Sequence, residues 1–344
     1  MTRFTLATLG MVVALTLAMT LGAPFALIAL LYITVFTYGM DKLTALAAPD
    51  HPDAEFPAGD ALSVTLGLLH FPLLYGGVWV LAEGDLALSD RLALFLALAL
   101  FLGQVSNSNA HELIHRAPRW MRRLGVAVYS SVLFGFHASA HPRVHHIHAA
   151  TPKDPNSARM GEGFWHFAGR AWRGALVQGY RAERRLRPSG LTPYTAYGLL
   201  ALISMGISLA LAGWAGVLAL VLLAAYAQLQ LLLSDYVQHY GLQRQQIAAD
   251  KFEPVGARHS WNAPQGFSSA LMLNAPRHSD HHAHPARHYP GLDLDRDQMP
   301  ILPHSLPVMA VIALVPPLWR HIMDPRARAW QPTTSGPSPE ERHA

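Results

Sequence analysis

Apolar residues in this chain gather into six segments, each close to the ~17 to 25 residues that a helix needs to cross the hydrocarbon core of a bilayer. They run from Phe4 to Thr20, Pro24 to Tyr38, Leu62 to Ala82, Leu92 to Asn109, Tyr194 to Ala212 and Trp214 to Gln238. Inside lipid a backbone must satisfy its own polar groups, so segments of this length are expected as helices. The sequence therefore predicts an all-α, polytopic membrane protein with about six transmembrane helices. Composition agrees, because 51% of the 344 residues are apolar and only 14% charged, and the mean hydropathy is +0.19. A typical soluble chain of this length carries more charge.

The first two segments are separated only by Leu21-Gly22-Ala23, and Pro24 opens the second, which predicts a tight helical hairpin. The second segment is short and is free to continue towards Leu43. A cleavable signal peptide is the rival reading of the start, since Arg3 precedes an apolar run; a second apolar segment following at once favours the hairpin. The apolar run from Leu306 to Ile322 contains Pro307, Pro316 and Pro317, so a re-entrant or interfacial element is expected there rather than a seventh span. Met121 to Phe134 and Phe164 to Tyr180 are amphipathic and suit the membrane surface or a cap on the bundle. Residues 1–330 read as one integral-membrane domain, and 331–344, rich in Pro, Ser and Thr, as a disordered tail.

Half of the 26 Lys and Arg residues lie between Arg116 and Arg187, and most of the rest from Arg244 onward. By the positive-inside rule both regions face the cytoplasm, together with the N- and C-termini. No nucleic-acid partner is expected. The chain has no cysteine, which excludes disulfides, thiolate metal sites, iron–sulfur clusters and thiol nucleophiles.

Histidine is the opposite case, with 20 in the chain. Nine fall into four clusters at or just beyond the ends of apolar segments. These are His111 and His115 in HELIH, His141, His145 and His146 in HPRVHH, His239 in DYVQHYG, and His278, His281 and His282 in HSDHH. Neutral imidazole is the commonest metal ligand near pH 7, so the pattern points to a metal centre with more than one ion on the cytoplasmic side. His111 and His115 share a helical face. If 141–146 is helical, His141 and His145 repeat that spacing while His146 projects about 100° away towards a second ion. The trio at 278–282 follows the same logic.

His239 is a lone histidine, but its place at the end of the sixth segment makes it a candidate ligand. His137, His148, His166, His259, His284 and His288 are left open by spacing. Glu112, Asp154, Asp235 and Asp280 are candidates for accepting the remaining N–H of a ligating ring, although Asp154 before Pro155 also suits a turn cap and Asp235 an arginine partner. His70, Phe71, Trp79 and Met205 are candidate linings for a cavity between the spans.

HELIH also fits the HExxH pattern of zinc peptidases, with Glu112 as general base, but that reading leaves six of the nine histidines unused. A polar metal site beneath an apolar bundle suits a lipid-soluble substrate without a polar handle. Attack on an unactivated C–H bond requires an oxygen-activating metal, and iron fits that chemistry in an imidazole shell.

Taken together, HELIHR, HPRVHH followed by ATPKDPNSAR, DYVQHYGLQR, and HSWNAPQGFSSALMLNAPRHSDHHAHPARHY resemble the membrane alkane 1-monooxygenase family. Met299-Pro300 and the PPLW at Pro316 to Trp319 are similar to its C-terminal part. The resemblance runs in order from Phe101 to Arg328. It implies a non-haem diiron enzyme, related to the membrane fatty acid desaturases, that inserts one oxygen atom from O2 into a terminal methyl group to give a primary alcohol. It further implies a bacterial-type inner membrane, the nine histidines named above as iron ligands, and electrons from NAD(P)H through a rubredoxin reductase and rubredoxin. Without cysteine in this chain the rubredoxin is expected as a separate protein, and the arginine-rich face suits an acidic carrier. The interior of HPRVHH departs from the Asn-Arg-Gly common in the family, which leaves the ligands intact and bears on substrate range. The alternatives are a membrane acyl desaturase or hydroxylase, a xylene-type methyl hydroxylase, and, from HELIH, an intramembrane zinc peptidase or a metal transporter.

Overall fold

The computed structural model describes residues 1–44, 57–249 and 251–331. Apart from a small hairpin of β1 (Gln246–Ala248) and β2 (Lys251–Phe252), its regular elements are helical. Helices α1 (Thr2–Leu21) and α2 (Phe25–Leu43) form the expected hairpin around Gly22, and α2 does continue to Leu43. Small buried residues (Ala7, Ala14, Ala18, Ala26 and Ala29) let the two backbones approach. Gly10 leaves room for Tyr32, whose hydroxyl donates to the carbonyl of Ala7 at 3.0 Å.

Helix α3 (Pro57–Glu83) covers the third predicted span. Helix α4 (Leu88–His115) covers the fourth and extends beyond it. At ~1.5 Å per residue its 28 residues reach about 42 Å, more than the ~30 Å hydrocarbon thickness, so it is long enough for one end to extend beyond the membrane core. Near that end one wider π turn occupies Leu102–Ser106. His70 of α3 ties it down: Nδ1 lies 2.5 Å from Ser106 Oγ, and Nε2 lies 2.7 Å from Ser131 Oγ of α5 (Arg119–Ser131). His70 is thus a crosslink between helices and not a cavity lining.

Residues 137–148 form the short helix α6, and Phe164–Leu186 form α7; α5 and α7 realise the two amphipathic stretches. Helix α8 (Pro193–His239) is continuous only in name. Ala212 and Gly213 leave helical geometry, with Gly213 at φ 56°, ψ −150°, a region open in practice to glycine alone. Ser208 and Gly216 would stand about 12 Å apart in a straight helix. Here a Cβ on Gly216 would meet the Ser208 carbonyl oxygen at 2.4 Å, so the chain doubles back. The two halves are the fifth and sixth predicted spans, and both ends of the hairpin return to the side from which α4 projects.

Beyond α8 the chain wraps over the projecting helix ends through α9 (Gly266–Leu271) and α10 (His278–Ala283). The apolar run after Leu306 breaks into α11 (Leu306–Ala313) and α12 (Pro316–Ala329), each too short to cross a bilayer, and α11 packs beside α8. The expected tail lies outside the described residues after Gln331.

Nothing lies within 4 Å of a Cβ built on Gly213, so the effect of Gly213→Ala is purely backbone strain. It should cost about 1–3 kcal/mol, read as a lower Tm in detergent; an unchanged Tm would contradict the turn drawn at this position.

Candidate metal centre

Each histidine arrives on an element whose ends are held by specific contacts. His111 and His115 occupy the projecting end of α4, where Asn109 Nδ2 donates to the carbonyl of Ser63 (2.9 Å) and Tyr129 donates to the carbonyl of Asn107 (3.1 Å). His239 is the last residue of α8. Immediately after it, Trp261 Nε1 donates to the carbonyl of Tyr240 at 2.9 Å. Asn262 positions α10: its Oδ1 accepts from the backbone N–H of Ser279 (2.9 Å), inside the HSDHH box. On α6, Arg143 and Ser139 both bond Glu183 of α7, fixing the helix that carries HPRVHH.

All nine predicted residues converge, in two groups. His111, His115, His141, His146 and His281 form one; His145, His239, His278 and His282 form the other. Within each group one ring nitrogen per residue lies within 4.8 Å of all the others. In the first, His141 Nε2 stands 2.7 Å from His111 Nε2 and 2.8 Å from His146 Nε2. In the second, His278 Nε2 stands 3.0 Å from His239 Nε2 and 3.1 Å from His282 Nε2. The groups adjoin, with the rings of His146 and His282 centred 4.7 Å apart.

The division of HPRVHH corrects the expected one. His141 shares a group with His146, five residues on, and His145 goes to the other. Residues 141–145 are wound as a π turn, whose i to i+5 hydrogen bonding brings positions five apart onto one face. The α-helical α10 keeps the ordinary spacing: His278 and His282 go together, and His281 points to the neighbouring group.

The donor set fits metal ions. An ion with ~2.1 Å bonds to two nitrogens at right angles holds them about 3 Å apart, the spacing found between these rings. His115 Nε2 and His145 Nε2 are buried and have no hydrogen-bond partner among the described residues, an arrangement costly without a ligand. Burial, and then the neighbouring imidazoles, hold His141, His146, His278, His281 and His282 well below the ordinary 6.5. They are therefore neutral, the ligating form, at physiological pH. His145 also feels burial pulling downward, but the Asp154 carboxylate outweighs it and raises its pKa.

Of the four acids, Asp154 alone accepts from one of the nine rings: its Oδ2 lies 2.8 Å from His145 Nδ1 and also accepts from Ser157 Oγ at 2.7 Å. This leaves His145 Nε2 for the metal. Asp154 Oδ1 accepts the N–H of Asn156 as well, so it is a turn cap too. The other three are corrections. Asp235 bonds Asn156 Nδ2 (2.6 Å), joining the Asp154 turn to α8 instead of pairing with an arginine. Asp280 binds Arg287, His284 and the backbone of Asp293, closing the loop after α10. Glu112 is engaged at Oε1 by Arg116 (3.1 Å) and the N–H of Tyr289 (3.2 Å) and accepts from none of the nine rings.

A cavity opens beside the histidines between α4, the second half of α8, and α11. His111, His141 and His278 line its inner end, and Leu231, Met272 and Leu306 its apolar walls. None of His70, Phe71, Trp79 and Met205 lines it. His70 is the crosslink described above, Phe71 packs on the His70 ring, Trp79 is half exposed on the outer face, and Met205 packs into the helix core. The cavity faces the sixth span, whereas those residues were drawn from the third and fifth. His137, left open by spacing, lines the cavity with its ring centred 5.1 Å from that of His141; its four-residue spacing from His141 was the available signal. His166, His259, His284 and His288 pair with Glu162, Glu253, Asp280 and Asp60 instead, and His148 belongs to neither group.

Two experiments address this geometry. Asp154→Asn should weaken metal binding about 10- to 100-fold at the four-histidine group, so that a chelator removes one ion from each chain well before the other; loss of both together would contradict the partition. For the metal-free protein, the unfolded chain takes up protons near pH 6.5 while five buried rings resist until much lower pH. Stability should therefore fall as pH drops through about 6.5. His145 works in the opposite sense, its contribution present at low pH and lost as pH rises, but it is one ring against five. A Tm of the metal-free protein that stays level from pH 7.5 to 5 would refute this.

A family model described as fatty acid desaturase matches residues 90–311. Alkane 1-monooxygenase 2 of Pseudomonas aeruginosa is 33% identical over 278 residues, 77% of this chain and 73% of that protein. Alkane 1-monooxygenase 1 of the same organism is 33% identical over 299 residues, 82% of this chain and 78% of that protein. The xylene/toluene monooxygenase hydroxylase component of Pseudomonas putida is 29% identical over 295 residues, 79% of this chain and 76% of that protein. With its apolar helices and paired histidine groups, the chain belongs to the fatty acid desaturase family and, within that family, to the membrane alkane monooxygenases.

Proposed function

We propose that the chain is a non-haem diiron monooxygenase of a bacterial-type inner membrane that inserts one oxygen atom from O2 into the terminal C–H bond of an alkane or similar hydrocarbon, giving a primary alcohol. The observation that carries this reading is the meeting of two all-imidazole groups with the inner end of an apolar cavity among the spans. His111, His115, His141, His146 and His281 would hold one iron, and His145, His239, His278 and His282 the other. Iron at these positions supplies the oxygen activation that no side-chain acid, base or nucleophile can provide.

The protein's own contribution is placement. Asp154 fixes the His145 tautomer so that Nε2 faces its group. Leu231, Met272 and Leu306 bind a hydrocarbon chain by dispersion and exclude water, directing its end towards His111, His141 and His278. The nine ligands bring no negative charge, so the centre is electron-demanding and suited to a reducing partner. That partner is taken to be a separate rubredoxin, reduced from NAD(P)H by rubredoxin reductase, meeting the basic cytoplasmic face. The residues 1–330 act as one membrane domain in this account, with both termini and the metal centre on the cytoplasmic side by the charge rule.

The test is product analysis under 18O2 with membranes supplied with rubredoxin and its reductase, alongside metal analysis. Two irons per chain and a primary alcohol carrying one 18O are expected from n-octane. One zinc per chain, or an alkene formed only from an acyl lipid, would overturn the reading. Preference for the methyl groups of p-xylene would move the substrate towards that of the xylene-type relative.

A further inference from the structure

The cavity is polar at a level where a plain hydrocarbon offers no hydrogen bond in return. Gln104, Ser108 and His111 recur at helical spacing along α4, and all three line it. At ~1.5 Å per residue Gln104 lies about 10 Å towards the membrane from His111. Gln230 of α8 lines the same level: a Cβ placed on Gly103 would stand 2.6 Å from the Gln230 Cβ.

Among the other polar groups of the wall, Nδ1 of His137, beside the metal groups, is buried without a partner among the described residues, whereas several others are engaged within the protein. Asn107 Nδ2 donates to the carbonyl of Ala227 (2.9 Å), Ser234 Oγ to Gln238 Oε1 (2.9 Å), and Gln238 Nε2 to the carbonyl of Ala275 (3.0 Å). Asp235 accepts from Asn156. Gln104 Oε1 is buried and has no hydrogen-bond partner among the described residues. Burying an amide unpaired is unfavourable and is tolerated where something else completes it.

We propose that Gln104 and Gln230 form a hydrogen-bonding subsite for a hydroxyl group, so that the substrates include medium-chain hydrocarbons carrying a hydroxyl at the end opposite the methyl that is oxidised. This rests on the hydroxylase reading above and specifies its substrate class. The hydroxyl donates to Gln104 Oε1, and the chain runs past Ser108 towards His111, His141 and His278. The terminal C–H becomes C–OH: one atom of O2 enters the product, and the other leaves as water with two electrons from the carrier protein and two protons. The product is a terminal diol.

The test compares n-octane and n-octanol with the iron-loaded enzyme and its electron-donor proteins. n-Octanol should give the terminal diol with a higher kcat/KM than n-octane gives for octanol. Gln104→Leu should lower the octanol-to-octane ratio of kcat/KM about tenfold, the scale of one lost hydrogen bond, and Gln230→Leu should shift it in the same direction. Iron content is measured for each variant, and if neither loads iron the wild-type comparison decides alone. Oxidation of n-octane without diol from n-octanol would overturn the subsite, as would an unchanged ratio in both iron-loaded variants. Failure of the iron-loaded enzyme on both substrates is a different result, which removes the hydroxylase reading itself.

Discussion

Nine imidazoles gathered around two points, largely shielded from water, are stable together only if something takes up their facing lone pairs. Ring nitrogens 2.7–3.1 Å apart leave no room for separate solvation, and the ring nitrogens of His115 and His145 that have no partner among the described residues need an electrophile. Most of what surrounds them can be understood as holding that arrangement. The long α4 carries His111 and His115 on its last turns, the α8 hairpin returns His239 to the same side, and Asn262 holds the helix bearing the last trio. The π turn at 141–145 divides adjacent histidines between the two groups.

The same arrangement links the membrane to the chemistry. A helix that began and ended within the lipid would leave its histidines either buried in hydrocarbon or remote from the cavity. The 28 residues of α4 let one face run from Gln104, within the apolar region, to His115 in the cap. A second π turn, at Leu102–Ser106, lies where that face meets the cavity, and it is pinned from behind by His70. Wider turns of this kind cost helix geometry and are found mainly at functional sites; these two lie next to the histidine groups or the cavity, while a third, Tyr32–Phe36 in α2, belongs to neither.

Much of this was legible in the sequence. Span length, the Gly213 break, the α1–α2 hairpin and the nine histidines follow from hydropathy, glycine chemistry and imidazole spacing, which are local properties. The partners of those histidines were less legible, because winding cannot be read from spacing alone: the α-helical assumption joined His141 to His145 where a π turn joins it to His146. The acids divided for a similar reason. Glu112 and Asp280 stand within histidine boxes but bind Arg116 and Arg287, and Asp154, which could be read as a turn cap, is both the cap and the orienting carboxylate. The cavity was misplaced because its wall includes α11, a short helix whose docking beside α8 no sequence pattern announced.

The most direct test of the central claim is an anomalous difference map at the iron absorption edge from crystals of the iron-loaded protein. The account predicts two peaks for each chain, one enclosed by His111, His115, His141, His146 and His281 and one by His145, His239, His278 and His282. A single peak, or two peaks with His145 and His146 on the same ion, would contradict it.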